Sequence, residues 1–426
     1  MIILMVNKFH YLRGGAERYY FDLSALLERH GHRVIPFSTR DPRNLPTPYA
    51  EDFIPGTDFD AAGGPLLALR RAGRVIHSPG ARRAMARALA RHRPDLVHLH
   101  NVAHHFSPSI LDALGEARVP VVQTLHDFKL LCPTYLLLRH GEVCEKCARG
   151  NVLHAVIHRC NRGSLARSTV SAIESGLAAA RDAYRPVRRF LCPSRFLYGK
   201  VAARGIAPER LVHLPLFVDP ERLAVPAGAA SPSADGAAPS AGGDRGGVIF
   251  VGRLSPEKGV RTLLAAAALA RDVPLTIVGE GPLAGEVERE VAVRHLSHVR
   301  IAGRLAGADL FALWRAAHAT VVPSECYENF PLVVAESLAL GVPVIASNLG
   351  GLAELVAESG AGWLVPPRAP GELAAALSGV AADPERARKL GAAGRAVVAA
   401  RYTPEGHLAG ILAAYAAAGA IEVRAT

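Results

Sequence analysis

Two carboxylates eight residues apart, Glu328 and Glu336, are the side chains of this 426-residue chain best spaced for chemistry. They lie in Pro323–Gly351, PSECYENFPLVVAESLALGVPVIASNLGG, with Asn329-Phe330-Pro331-Leu332 between them. That run opens a helix with Pro331 at or near its first position, where a missing N–H costs nothing. Free backbone N–H groups at such a start attract phosphate. A helix N-terminus with an acid on either side can hold a diphosphate while gripping sugar hydroxyls. The plain alternative is two surface glutamates on one helix.

Other residues could serve the same chemistry. Phe250–Gly259, FVGRLSPEKG, is a strand–loop–helix element that sets Arg253 and Lys258 at the carboxyl end of a strand. A guanidinium fork and a point charge suit a pyrophosphate, though an Arg and a Lys in a polar loop are also commonly just solvated. Gly14 and Gly15, after the first apolar run, let backbone approach a ligand and open a second helix whose dipole favours phosphate. His126, in Thr124-Leu125-His126-Asp127, and His100-Asn101, in His98-Leu99-His100-Asn101, end two further strands. Gly279-Glu280-Gly281-Pro282 reads as a structural turn.

Four of the six cysteines fall as Cys132-x11-Cys144-x2-Cys147-x12-Cys160. Cys-x2-Cys with two flanking cysteines has metal-ligand spacing, and thiolates in a tetrahedron suit a structural zinc. Four reduced thiols, or an iron–sulfur group, are the alternatives. Without an export signal, disulfides are disfavoured. Cys192 and Cys326 stand apart.

The elements that must position these residues are short apolar runs alternating with helix-length amphipathic segments, the pattern of two parallel-sheet α/β domains. Strands are expected at Ile2–Val6, Arg33–Ser38, Leu96–His100, Val119–Leu125, Arg189–Cys192 and Leu211–Leu214, then at Val248–Val251, Leu275–Val278, Val299–Ile301, Thr320–Val322 and Val344–Ala346. Helices are expected at Tyr19–His30, Gly259–Arg271, Leu283–Val293, Ala308–Ala317, Pro331–Leu340, Pro370–Ser378 and Pro384–Ala400. The chain is expected to divide into a first domain over 1–220, with a Cys-bearing insert at 132–160, and a second over 248–403. A flexible linker at 221–247, rich in Ala, Pro, Ser and Gly, joins them. The stretch 404–426 is expected to carry a helix crossing back to the first domain.

Charge is unevenly shared. Residues 1–220 hold 31 Lys and Arg against 18 Asp and Glu, and the remainder 18 against 20. A basic first half suits an anionic membrane surface, a lipid-linked phosphate or an acidic glycan, unless it is simply solvated. The arginines are scattered and no groove-reading or RNA-binding motif accompanies them, which argues against nucleic acid. No run is long enough to span a bilayer, and MIILMV runs straight into Asn7-Lys8, unlike a signal peptide. The expected location is cytoplasmic, with peripheral contact at the inner membrane face.

With Pro-Ser ahead of it, ENFP at the helix start and GVPVIAS-x-x-GG behind it, the Glu328–Glu336 pair resembles the Glu-x7-Glu signature of retaining glycosyltransferases of the GT-B fold, family 4. The GR-x4-KG run at Gly252–Gly259 and the V-G-x-G-P turn at Val278–Pro282 match further family motifs, as do the Gly14-Gly15 loop and His126. The likeness is strongest over Val248–Pro366, clear at Asn7–Ser38 and Pro94–Pro133, and thin over Asp41–Arg93. It departs at His213–Asp219, HLPLFVD, where the family often carries an asparagine before the valine-aspartate step.

The resemblance implies two Rossmann-like, doubly wound parallel-sheet domains facing across a cleft, with the acceptor side in the first and nucleotide-sugar binding in the second. It implies transfer of a sugar from a UDP- or GDP-sugar to the hydroxyl of a glycan or lipid-linked acceptor, with retention and on one face, and needing no cofactor. Glu328 would meet hydroxyls of the transferred sugar and Glu336 those of the ribose. N–H groups around Phe330 and Leu332 would bind phosphate, and Pro331 has none to give. Arg253, Lys258, Gly14 and Gly15 would flank the diphosphate. His126 would stabilise the anomeric carbon through its carbonyl or bond a sugar hydroxyl. His100 and Asn101 would lie on the acceptor side. A nucleotide-sugar epimerase, a phosphorylase-type enzyme or a non-catalytic glycan- or membrane-binding module are the competing readings.

Overall fold

The computed structural model describes residues 1–57, 64–223 and 246–420. They divide into two compact units: 1–57, 64–140, 144–215 and 405–420 in one, 141–143, 216–223 and 246–404 in the other. Of the stretch 221–247 expected as a linker, residues 224–245 lie outside the described residues, and Pro220–Leu223 forms a short helix.

The first unit is built on a six-stranded parallel sheet. Its strands are β1 (Ile2–Val6), β2 (Arg33–Phe37), β3 (Leu96–Leu99), β4 (Val121–Thr124), β5 (Val187–Cys192) and β6 (Leu211–His213), in spatial order β6-β5-β4-β3-β1-β2. Ile3, Leu4, Met5, Leu96, Val97, Val121 and Val122 are wholly buried, because helices cover both faces of such a sheet. The chain runs from β1 to β2 and then returns to β3 on the other side of β1. That reversal leaves a crevice at the carboxyl ends of β1 and β3. Helix Pro404–Ala417 belongs to this unit, where the Tyr415 hydroxyl meets His98 Nδ1 at 2.8 Å.

The second unit repeats the plan. Strands β7 (Val248–Val251), β8 (Leu275–Val278), β9 (Val299–Gly303), β10 (Ala319–Val322), β11 (Val344–Ser347) and β12 (Gly362–Val365) lie in the order β9-β8-β7-β10-β11-β12. Here the reversal falls between β7 and β10, which pair in parallel through Val248↔Ala319 and Ile249↔Thr320. The loops leaving those two strands carry FVGRLSPEKG and PSECYENFP. The first two turns of the sheet are locked backbone to backbone: Gly279 takes φ +146°, and a side chain there would drive into the Gly252 carbonyl oxygen.

Among the described residues, eight helices escape the sequence pattern: Pro65–Ile76, Pro79–His92, Ser109–Ala117, Leu153–Ile157, Leu165–Ala180, Arg195–Ala203, Pro220–Leu223 and Gly350–Ser359. Strand β12 is also unforeseen; Gly362 opens it because a Cβ there would overlap the Val344 carbonyl oxygen on β11.

Candidate functional site

The loop after β10 and the turn after β7 meet in the second unit. Gly259, at φ +70°, ends the short turn Pro256–Lys258 and starts helix Val260–Leu269. Any side chain at Gly259 would overlap the carbonyl oxygen of Pro323, so glycine lets the two loops touch. Lys258 Nζ thereby donates to Glu328 Oε1 at 2.6 Å, and the Ser324 hydroxyl donates to the same oxygen at 2.9 Å. Burial disfavours the Lys258 charge, but the Glu328 carboxylate outweighs it and holds the ammonium above its ordinary pKa. Arg253 is exposed on the same turn.

The helix after this loop runs Leu332–Ala339, and Pro331 caps it at φ −75°, ψ 94° rather than standing inside it. In its first turn the Val334 N–H donates to the Pro331 carbonyl at 2.9 Å, which leaves the N–H groups of Leu332 and Val333 without intrahelical partners. A buried chain of hydroxyls ties this helix to the sheet: Trp314 Nε1 donates to Thr320 Oγ1 at 2.6 Å, Thr320 and Ser337 share a 2.6 Å bond, and Ser337 donates to the Val342 carbonyl at 2.8 Å. Behind the loop, the Gly351 N–H donates to the Glu328 carbonyl at 2.8 Å.

Asn329 stands out here. It is 8% exposed, yet neither its Oδ1 nor its Nδ2 has a hydrogen-bond partner. A buried primary amide left so is costly unless a ligand or water completes it. Glu336, expected at a ribose, accepts from Arg222 Nη2 at 2.5 Å, an arginine of helix Pro220–Leu223. Asn329 was expected at the donor from its place in the ENFP run, whereas nothing in the sequence pattern marks Arg222.

In the first unit, Gly14 precedes helix Gly15–Arg29 with φ −168°, open to any residue. A Cβ at Gly14 would make an ordinary contact, 3.8 Å from Glu17 Oε2, so the chain's own packing does not explain this glycine. His126 follows β4. Its Nε2 lies 2.9 Å from His100 Nδ1, and the two rings stack at 5.2 Å between centroids and 15°. His100 is 1% exposed, so it does not face an acceptor as expected; its other nitrogen, Nε2, lies 2.9 Å from Met5 Sδ. Asn101 instead uses its backbone, its N–H donating to Asn7 Oδ1 at 3.2 Å and its carbonyl accepting from Lys8 at 2.9 Å.

The sulfur fixes the tautomers. A thioether only accepts, so the single proton of neutral His100 sits on Nε2 and its Nδ1 accepts from His126 Nε2–H. His126 Nδ1 is then left as an acceptor, suited to a hydroxyl proton. His98 (Nε2 to Thr124 Oγ1 at 2.8 Å) and His407 (Nε2 to the Tyr19 hydroxyl at 2.9 Å) extend this buried network, and sequence reasoning missed both. The spacing of His98 and His100, two apart on one strand face, was the available signal.

Burial holds these imidazoles neutral: the pKa of His126 and of His98 is lowered to about 3 and that of His407 to about 4, with His100 also well below its ordinary value. A group with a depressed folded-state pKa gives stability that is complete above its unfolded value of 6.5 and lost as pH falls toward the folded one. Urea midpoints should therefore drop between about pH 7.5 and about pH 5. Asp127 and Glu17, whose pKa burial raises, act in the opposite sense and offset part of it. A flat midpoint over that window would show that the histidines are not buried neutral.

The four clustered cysteines correct an expectation. Cys132 and Cys147 are buried and Cys144 and Cys160 half-buried, all as free thiols. Among the described residues, no three His, Cys, Asp or Glu side chains are placed to hold a metal ion. Cys132 Sγ instead pairs with Thr134 Oγ1 at 3.3 Å, and burial, with the neighbouring cysteines, pushes the Cys147 thiol up to about 12. The zinc ligand set of Cys132, Cys144, Cys147 and Cys160 is not formed. Nor, among the described residues, is any helix long and apolar enough to cross a membrane.

Comparison with known proteins bears on both units. A family model of glycosyl transferases group 1 matches residues 238–397, and one of glycosyltransferase family 4 matches residues 13–222. A glycogen synthase of Mycobacterium tuberculosis is 40% identical over 153 residues, 35% of this chain and 37% of that protein. A D-inositol 3-phosphate glycosyltransferase of Segniliparus rotundus is 38% identical over 187 residues, 40% of each. The match thus spans well under half the length of those curated relatives. Solved structures align across nearly the whole chain. Sucrose-phosphate synthase from Thermosynechococcus elongatus aligns at TM-score 0.69 and 23% identity, covering 97% of this chain and 98% of that one. Anabaena HepE in complex with UDP aligns at TM-score 0.64 and 20% identity, covering 98% and 100%. At these identities the likeness is one of fold, GT-B.

Proposed function

Because the chain belongs to the family 4, group 1 glycosyltransferases, we propose that it moves a sugar from a nucleotide-diphosphate sugar to an acceptor hydroxyl with retention of anomeric configuration. The observation that carries this reading is the unpartnered, buried Asn329 amide at the start of helix Leu332–Ala339, beside the Lys258–Glu328 pair and at the reversal of the second sheet. Open parallel sheets bind ligands at such reversals. The helix N–H groups, Lys258 and Arg253 take the diphosphate, and their charge eases its departure. Asn329 and Glu328 take sugar hydroxyls, and Glu336 takes the ribose once it exchanges its bond with Arg222. His126 offers Nδ1 to a sugar hydroxyl, while Gly14 and Gly15 leave room for ligand in the first unit. Departing phosphate oxygen and entering hydroxyl lie on one face of the sugar, so the phosphate itself receives the acceptor's proton.

UDP-sugars are favoured over GDP-sugars as donors, on the likeness to HepE, which is solved with UDP and with UDP-glucose. The acceptor is a glycan or lipid-linked hydroxyl, and the product a cell-surface glycan, glycolipid or polysaccharide.

A thermal-shift panel of nucleoside diphosphates, followed by product analysis with the matching sugar donor, tests this. One diphosphate should raise the unfolding midpoint, since a ligand of the folded state alone must stabilise it. Transfer should need acceptor. An isomerised nucleotide sugar formed without acceptor would make the protein an epimerase, and no shift with any diphosphate would remove the donor site.

A further inference from the structure

Fifteen large aliphatic side chains are exposed among the described residues, and eight of them gather on three helices of the first unit, a concentration that scattered surface leucines do not show. Helix Pro65–Ile76 exposes Leu66, Leu67 and Leu69 at 65%, 41% and 70%. Helix Leu153–Ile157 exposes its two ends, Leu153 and Ile157, at 63% and 69%. Helix Leu165–Ala180 exposes Leu165, Ile173 and Leu177 at 52%, 44% and 46%, positions four or eight apart and so on one side. The first two helices both pack against the third, which makes the three neighbours.

Charge says what covers this face. Helix Pro65–Ile76 holds three arginines and no Asp or Glu, and residues 146–173 hold five Lys and Arg and no Asp or Glu. Arg70, Arg74 and Arg159 are exposed among the apolar side chains. A second copy of the chain would bring this same basic surface against itself, and like charges facing across a two-fold contact oppose it. A polyanion without an apolar phase would leave the leucines in water. An anionic bilayer satisfies both features, since basic amphipathic helices lie at the headgroup–acyl boundary with arginines at lipid phosphates.

We propose that these three helices dock the first unit on an anionic lipid surface, with Leu66, Leu69, Leu153 and Ile157 entering the boundary and the neighbouring arginines meeting phosphates. The proposal stands on the surface alone and does not depend on the transferase reading.

The full chain is tested by co-sedimentation with vesicles of phosphatidylcholine, alone and mixed with phosphatidylglycerol. Partitioning onto the mixed vesicles should exceed that onto the neutral ones by at least about tenfold and fall steeply with added salt. The double substitution Leu69→Glu/Ile157→Glu should lower it by about tenfold or more, with an unchanged unfolding midpoint because both side chains are exposed. Arg70→Ser/Arg74→Ser should flatten the salt dependence. Equal binding to both vesicles, no binding, or full binding by the Glu variant would overturn the proposal. So would light scattering that shows a dimer, lost in the Glu variant, in place of vesicle binding.

Discussion

Glu328→Gln should abolish most sugar transfer while leaving a folded protein. The carboxylate accepts from Lys258 at 2.6 Å and Ser324 at 2.9 Å, so its position is set before any substrate arrives. An amide of the same shape keeps the packing but loses the charge that polarises sugar hydroxyls and balances Lys258. Removing one preorganised electrostatic contact of this kind costs about 10²–10³ in turnover, and a fall of that size in kcat is expected. Binding of the nucleoside diphosphate should change only a few-fold, because phosphate is held by the helix start, Lys258 and Arg253. Initial-rate kinetics with a diphosphate titration separate the two. A non-catalytic binding module predicts no loss of biological activity in this variant, so unchanged activity would favour that reading.

Gly351→Ala should be nearly as damaging by a different route. Glycine at 351 lets its N–H reach the Glu328 carbonyl at 2.8 Å, and a Cβ would sit 2.6 Å from that oxygen and closer still to the Asn329 carbonyl. The loop must move, at an overpacking cost of about 1–3 kcal/mol. For a unit of this size, that lowers the unfolding midpoint by about 2–12 °C. The same movement displaces Glu328 and Asn329, and an error of about 1 Å at a reacting centre can cost about 10²-fold. Gly360→Ala is the control: Gly360 takes φ +59°, but a methyl added there would meet nothing within 4 Å, so the variant should lose some stability and keep its activity. Equal activity in both variants would show that the Gly351 contact does not position the site.

The second unit was the more legible in the sequence. Its strand limits follow short runs of Val, Ile and Leu bounded by Gly or Pro, and Val248–Val251 and Leu275–Val278 fall where the runs do. The loop pair at Lys258 and Glu328 was marked by residue types that the backbone contact at Gly259 now explains. What the pattern could not carry was side-chain pairing over distance. Arg222 on Glu336 joins residues 114 apart, and Tyr415 on His98 joins residues 317 apart. His100 misled because a histidine ending a strand has two outlets, ligand or core, and the core won through Met5 and His126. For the cysteines, spacing brings the thiols near one another but does not fix whether they are arranged as a ligand set, and among the described residues they are not. In the thin-resemblance region, Pro65–Ile76 was hidden because its first turns face outward, whereas Pro79–His92, with its Ser78 cap and its buried Ala81, Ala84, Met85, Ala88 and Leu89, carried a readable signal.

Calorimetric titration with the nucleoside diphosphate and its monophosphate, into wild type and Lys258→Ala, tests the donor site most directly. The diphosphate should bind at least about tenfold more tightly than the monophosphate to wild type, a charge-assisted contact being worth that much, and the gap should close in Lys258→Ala. Equal affinities in wild type, or an undiminished gap in the variant, would contradict a diphosphate held between Lys258 and the Leu332 helix start.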